Sequence, residues 1–83
     1  MELLKFYATW CGPCKVQTEH LKKLTGVDIK EINIEDEEND DLVIKHKVRS
    51  VPKIVILKDG EVVKEFVGLT PSDKIQEVIN EYN

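Results

Sequence analysis

The sequence has no long apolar run, no basic cluster and only two cysteines, and each shortage removes a class of protein. A membrane-spanning helix needs about 20 consecutive apolar residues, and nothing here approaches that length. Met1 leads at once into the strand-like Leu3-Leu4-Lys5-Phe6-Tyr7, without a signal-peptide pattern, so the chain is expected to stay in the cytoplasm. Binding to nucleic acid phosphates requires clustered lysine and arginine in a basic field, and the net charge of −4 argues against it. Two cysteines cannot build the framework of a disulfide-stapled secreted domain. There is also no internal repeat, linker or low-complexity segment. Eighty-three residues, with 41% hydrophobic and 34% charged, therefore read as one globular domain over residues 1–83. A domain this short buries a smaller fraction of its surface than a larger one, so its elements should be dense and its loops short.

The pattern predicts seven elements. Leu3 to Ala8 is a run of strand formers broken by Gly12-Pro13. A helix from Pro13 to Leu24 follows, with Val16, Leu21 and Leu24 at near-helical spacing and Gly26 as its stop. Val27, Ile29, Ile32 and Ile34 indicate a strand over residues 28–35, although the alternation slips between Ile29 and Ile32. Glu35 to Asp41 holds six acids, which read first as the solvated start of a short helix over residues 40–46 and second as an interaction patch. Lys45, His46 and Lys47 end that helix with charges suited to a C-terminus. Ile54 to Leu57 is a buried-strand run, and Asp59-Gly60 turns the chain into an antiparallel strand over residues 62–67. Thr70 as N-cap, Pro71 at the first helical position and Asp73 in the first turn open a final helix carrying Ile75, Val78 and Ile79 on one face. The order is βαβαββα, an α/β fold in which the βαβ unit makes the first two strands parallel and the hairpin adds antiparallel pairing: a four-stranded mixed sheet flanked by three helices.

The chemistry-bearing feature is Cys11-Gly12-Pro13-Cys14 at a helix start. Two thiols at this spacing can close a disulfide with little backbone movement, and the first sits where free N–H groups and the helix dipole favour an anion. Lowering a thiol pKa from about 8.5 to about 7 requires roughly 2 kcal/mol, within reach of those two effects together. Cys11 is thus the candidate nucleophile that attacks a substrate disulfide. Cys14, expected to be more buried and to hold its proton more tightly, is the candidate that resolves the mixed disulfide. The competing reading is half of a zinc site, but four ligands are needed and only His20 and His46 remain, neither well spaced. No tightly bound cofactor or metal is implied.

Phe6-Tyr7-Ala8-Thr9-Trp10-Cys11-Gly12-Pro13-Cys14-Lys15 resembles the active-site signature of the thioredoxin family. The likeness continues in Val48-Arg49-Ser50-Val51-Pro52, in Lys58-Asp59-Gly60-Glu61-Val62 and in Val67-Gly68. It implies the thioredoxin fold and a protein disulfide reductase acting on disulfide-containing proteins as a monomer, with electrons from a flavoprotein thioredoxin reductase or similar dithiol donor. It further implies that Pro52 is cis and faces Cys11, a geometry that the residues alone leave open. Val51 would offer backbone groups to an extended substrate, with Trp10 and Gly68 flanking the groove and Gly12 and Pro13 completing its surface. Two departures stand out. The leading strand and helix of full-length thioredoxins are lacking, which leaves a core nearer in size to glutaredoxins. The family usually has a buried Asp at the position of Lys5 and often a Lys at that of Glu31, whereas here the charges are exchanged. A lysine inside a central strand must reach water or an acid; either both charges reach solvent, or Glu31 on the adjoining strand pairs with Lys5 and is the candidate acceptor of the Cys14 proton. Two other functions compete: a glutathione-coupled, glutaredoxin-like oxidoreductase, and a redox-inert binding module on the same fold.

Overall fold

A computed structural model describes residues 1–83. Strand β1 (Glu2–Tyr7) runs into helix α1 (Gly12–Leu21) and strand β2 (Asp28–Asn33). A single 3-10 turn at Glu37–Asn39 precedes helix α2 (Asp40–Lys45), followed by strands β3 (Lys53–Lys58) and β4 (Glu61–Val67) and helix α3 (Ser72–Tyr82). The strands lie in the order β2-β1-β3-β4. β1 and β2 are parallel, while β3 is antiparallel to both β1 and β4. The four-stranded mixed sheet and three helices match the expected βαβαββα architecture.

Both faces of the sheet are covered. On one, Leu3, Ile54 and Ile56 pack with Leu21 of α1 and with Ile75 and Ile79 of α3. On the other, Leu4, Phe6, Ile32 and Val55 pack against Leu42 and Val43 of α2 and against Val48 and Val51. Two-sided coverage explains the slipped alternation in β2, since both parities can meet apolar neighbours. As an edge strand β2 still buries only Ile32, and Ile29 remains 39% exposed. The β3–β4 turn puts Asp59 at φ 52° and Gly60 at φ 82°, two successive left-handed residues as a tight hairpin requires.

Four local expectations need correction. Val16 is 48% exposed, and the inner face of α1 is instead Cys14, Gln17 and Leu21. The helix ends at Leu21, with Leu24 packing on the core from beyond it. Pro71 itself is the N-cap of α3, at φ −65° and ψ 152°, while the Thr70 hydroxyl donates to the Gly68 carbonyl at 3.0 Å. His46 does end α2 as expected, but not as a free charge: it is buried, with its ring 5.7 Å from that of Phe6. Burial, followed by the nearby Lys45, pushes its pKa below the usual imidazole value.

Candidate functional site: a dithiol at the start of helix α1

The turn between β1 and α1 is short because Cys11 N–H donates to the Ala8 carbonyl at 3.1 Å, reversing the chain as soon as the strand ends. Cys11 is the N-cap of α1, with extended backbone, and Pro13 occupies the first turn, where its missing N–H removes nothing from the helix. The Cys11 Sγ accepts the Cys14 backbone N–H at 3.1 Å. A sulfur in that position collects a hydrogen bond that strengthens when it carries charge, along with the positive end of the helix dipole. Cys11 and Cys14 are joined as a disulfide, with Cα atoms 5.3 Å apart. Both are buried, at 3% and 2% exposure, so the expected difference in burial does not exist in the disulfide form.

Ala8, Cys11 and Cys14 form a small apolar cluster against Tyr7, Ile34 and Val51. The Val51–Pro52 peptide is cis, and Pro52 is buried. Gly68 N–H donates to the Pro52 carbonyl at 2.9 Å, tying the end of β4 to this loop. Trp10 stands 71% exposed beside the cysteines, with Gly12 and Pro13 also at the surface. Val67 and Leu69, on either side of Gly68, are exposed apolar residues.

Lys5 and Glu31 are brought together. They are register partners on β1 and β2, and Lys5 Nζ lies 3.5 Å from Glu31 Oε1. Lys5 is 2% exposed, so its amine does not simply reach solvent. Its Nζ also donates to Thr18 Oγ1 at 2.5 Å, and Thr18 in turn donates to the Cys14 carbonyl at 3.2 Å. A cavity of about 270 Å³ is lined by Lys5, Tyr7, Cys14, Lys15, Thr18 and Glu31, together with the Ala8–Thr9 segment.

Two further braces were missed. Gln17 is fully buried and clamps Thr70 from both sides, accepting its N–H at 2.8 Å and donating to its carbonyl at 2.9 Å. Its place three residues after Cys14 and four before Leu21, on the buried side of α1, was a readable signal. Glu35 Oε1 accepts both the N–H and the hydroxyl of Thr9, each at 2.7 Å, and these two bonds hold its carboxyl below the usual carboxylate range. Nothing in the acidic run distinguished Glu35 from its neighbours. No group of three or more potential metal ligands is assembled around the cysteines or elsewhere.

A reversible cysteine pair capping a helix, beside a cis-proline loop on a four-stranded mixed sheet, defines a thiol–disulfide oxidoreductase. The comparisons specify the family. The thioredoxin family model matches residues 1–81. The chain is 40% identical to the thioredoxin of Bacillus subtilis (strain 168), covering 96% of this chain and 80% of that one. It is 37% identical to the thioredoxin of Listeria monocytogenes, covering 96% and 81%. Among solved structures, a mutant thioredoxin from Halobacterium salinarum NRC-1 superposes with TM-score 0.83 at 38% identity, covering 98% of this chain and 73% of that one. Oxidised mitochondrial thioredoxin 3 of Saccharomyces cerevisiae gives TM-score 0.82 at 30% identity, covering 96% and 76%. The chain belongs to the thioredoxin family and is a disulfide reductase of thioredoxin type, a family that needs no tightly bound cofactor beyond the redox-active disulfide.

Proposed function

We propose that Cys11 is the attacking thiol and Cys14 the resolving thiol of a cytoplasmic reductase that acts as a single-domain monomer. The observation that carries this assignment is the Cys11 sulfur at the N-cap of α1, accepting the Cys14 N–H. Cys11 thiolate attacks one sulfur of a substrate disulfide, and the other substrate sulfur leaves as a thiol. Cys14, deprotonated into the cavity beside it, then attacks Cys11; the Cys11–Cys14 bond forms and the second substrate thiol departs. Two electrons have moved from the pair to the substrate, and a flavoprotein thioredoxin reductase or comparable dithiol donor restores them.

Substrate lies along the Val51–Pro52 loop, pairing with the Val51 backbone as an added strand, with Trp10, Gly12, Pro13 and Gly68 shaping the groove. The support for this groove is the exposed Trp10, the buried Pro52 and the Gly68 to Pro52 hydrogen bond that holds its two walls together.

Equilibration of the Cys11–Cys14 pair with defined thiol–disulfide buffers, alongside insulin reduction, tests the reading. A potential near about −270 mV with rapid insulin turnover is expected. Abolition of turnover by Cys11→Ser is also expected, with Cys14→Ser trapping a mixed disulfide. A potential about 100 mV more oxidising, or turnover that needs glutathione, overturns it in favour of a glutathione-coupled role.

A further inference from the structure

The exchange of charges at Lys5 and Glu31 changes what faces Cys14. Four titratable groups line the cavity beside that cysteine: Lys5 and Tyr7 from β1, Lys15 from α1 and Glu31 from β2. They sum to two cations, one anion and one phenol. Glu31 is spoken for by an ammonium at 3.5 Å, and its side chain is 46% exposed, so its charge is both paired and screened by water. Lys5 is the buried member. Its ammonium is gripped by the Thr18 hydroxyl, the Glu31 carboxylate and the face of the Tyr7 ring, whose centroid lies 5.2 Å away. Thr18, one turn along α1 from Cys14 and bonded to its carbonyl, fixes that cation next to the helical turn bearing the second thiol.

We propose that Lys5 is the electrostatic partner of the Cys14 thiolate: its ammonium, held by Thr18 and Glu31, stabilises the anion that forms when Cys14 resolves the mixed disulfide. No carboxylate base is involved. The Cys14 thiol proton passes to solvent through the cavity, the thiolate attacks Cys11 Sγ, and the substrate sulfur leaves and is protonated from solvent. Lys5 and Cys14 line the same cavity, and an opposite charge facing an ionising group lowers its pKa, the more so where burial keeps water from screening it. Thr18 and Glu31 act through Lys5 and are positioning residues. The inference rests on Cys14 being the resolving thiol.

The test separates the two thiols in time. Reduced protein mixed with one equivalent of the aromatic disulfide DTNB releases one coloured thiolate when Cys11 attacks and a second when Cys14 displaces the mixed disulfide. Stopped-flow traces across pH then give a midpoint for each phase. In Lys5→Met the second-phase midpoint should rise by about one unit, with about tenfold slower resolution near pH 7 and convergence with wild type at alkaline pH. Lys5→Arg should restore the wild-type midpoint, Thr18→Val should shift it in the same direction as Lys5→Met but less, and Glu31→Gln, which keeps an oxygen for the ammonium, should also shift it less than Lys5→Met. A loss of packing alone would lower the rate at every pH rather than move the midpoint.

An unchanged midpoint in Lys5→Met overturns the proposal, as does a second phase slowed in Glu31→Gln but not in Lys5→Met, which would make the carboxylate a base. If Lys5→Met fails to fold, Thr18→Val decides, and a wild-type midpoint there is equally fatal. Failure of the underlying assignment looks different: wild type would show no second release, or Cys14→Ser would retain it.

Discussion

Replacing Gln17 by Leu removes a brace between the active-site helix and the segment that follows Gly68. Gln17 accepts the Thr70 N–H at 2.8 Å and donates to the Thr70 carbonyl at 2.9 Å, and both residues are buried. Leucine fills similar space but answers neither group. A buried backbone donor or acceptor left unpaired costs about 1–3 kcal/mol, and burying the apolar side chain returns roughly 1 kcal/mol. With both Thr70 groups unpaired, the net expectation is a loss of about 1–5 kcal/mol. In a domain of this size each kcal/mol moves the melting temperature by about 4–8 °C, so a fall of about 4–40 °C is expected. Urea unfolding should show a lower midpoint at unchanged slope. Gln17→Glu sharpens the point. An ionised carboxylate can take the N–H but repels the carbonyl, whereas a protonated carboxyl satisfies both. Its folded pKa should therefore be raised, with the clamp's contribution intact below the unfolded carboxyl value of about 4.3 and lost as pH rises through the folded value. A Gln17→Leu protein within about 0.5 kcal/mol of wild type would refute the reasoning, because surface substitutions without such a role fall in that range.

Two pH-dependent predictions rest on other groups. The two Thr9 bonds depress the Glu35 pKa, so the stability they confer is present above the unfolded carboxylate value and disappears as acid titrates the folded group. The stability difference between wild type and Glu35→Gln should accordingly be largest near neutrality and shrink below about pH 4; a gap that stays constant down to about pH 3 excludes the carboxylate as the source. His46 is buried and its pKa is lowered, so the unfolded chain binds the extra proton more readily. Stability should hold above the unfolded value of about 6.5 and decline below it by up to about 1.4 kcal/mol per pH unit until the folded ring also titrates. His46→Phe, which keeps a ring against Phe6, should remove that slope, and an identical slope in the variant would sink the assignment.

Much of this protein was legible before any coordinates. Hydrophobic runs and turn residues located the strands and α3, because those elements had to bury a face and that requirement is written locally as spacing; α2 was located by its terminal charges, and α1 was located although its buried face is Cys14, Gln17 and Leu21. The Asp59-Gly60 turn and the two cysteines at a helix start are likewise local signals, which is why Cys11 and Cys14 could be given roles from sequence. Helix edges were less legible: whether Thr70 or Pro71 caps α3 depends on what the Thr70 hydroxyl finds, and it finds the Gly68 carbonyl.

Tertiary structure decided what depends on partners distant in the chain. Gln17 is polar by composition and buried by position, and only the approach of Thr70, 53 residues away, makes that stable. His46 ends a helix as the sequence indicates, yet the fold turns its ring onto Phe6 and opposes its charge. The Lys5–Glu31 pair shows both levels. The exchanged charges were visible as residues, and parallel strands in register were enough to suggest that they meet. That the ammonium would be buried, anchored to Thr18 and set in the cavity beside Cys14 required β1, β2 and α1 to be assembled together, because the energy of a buried charge is fixed by what surrounds it in space.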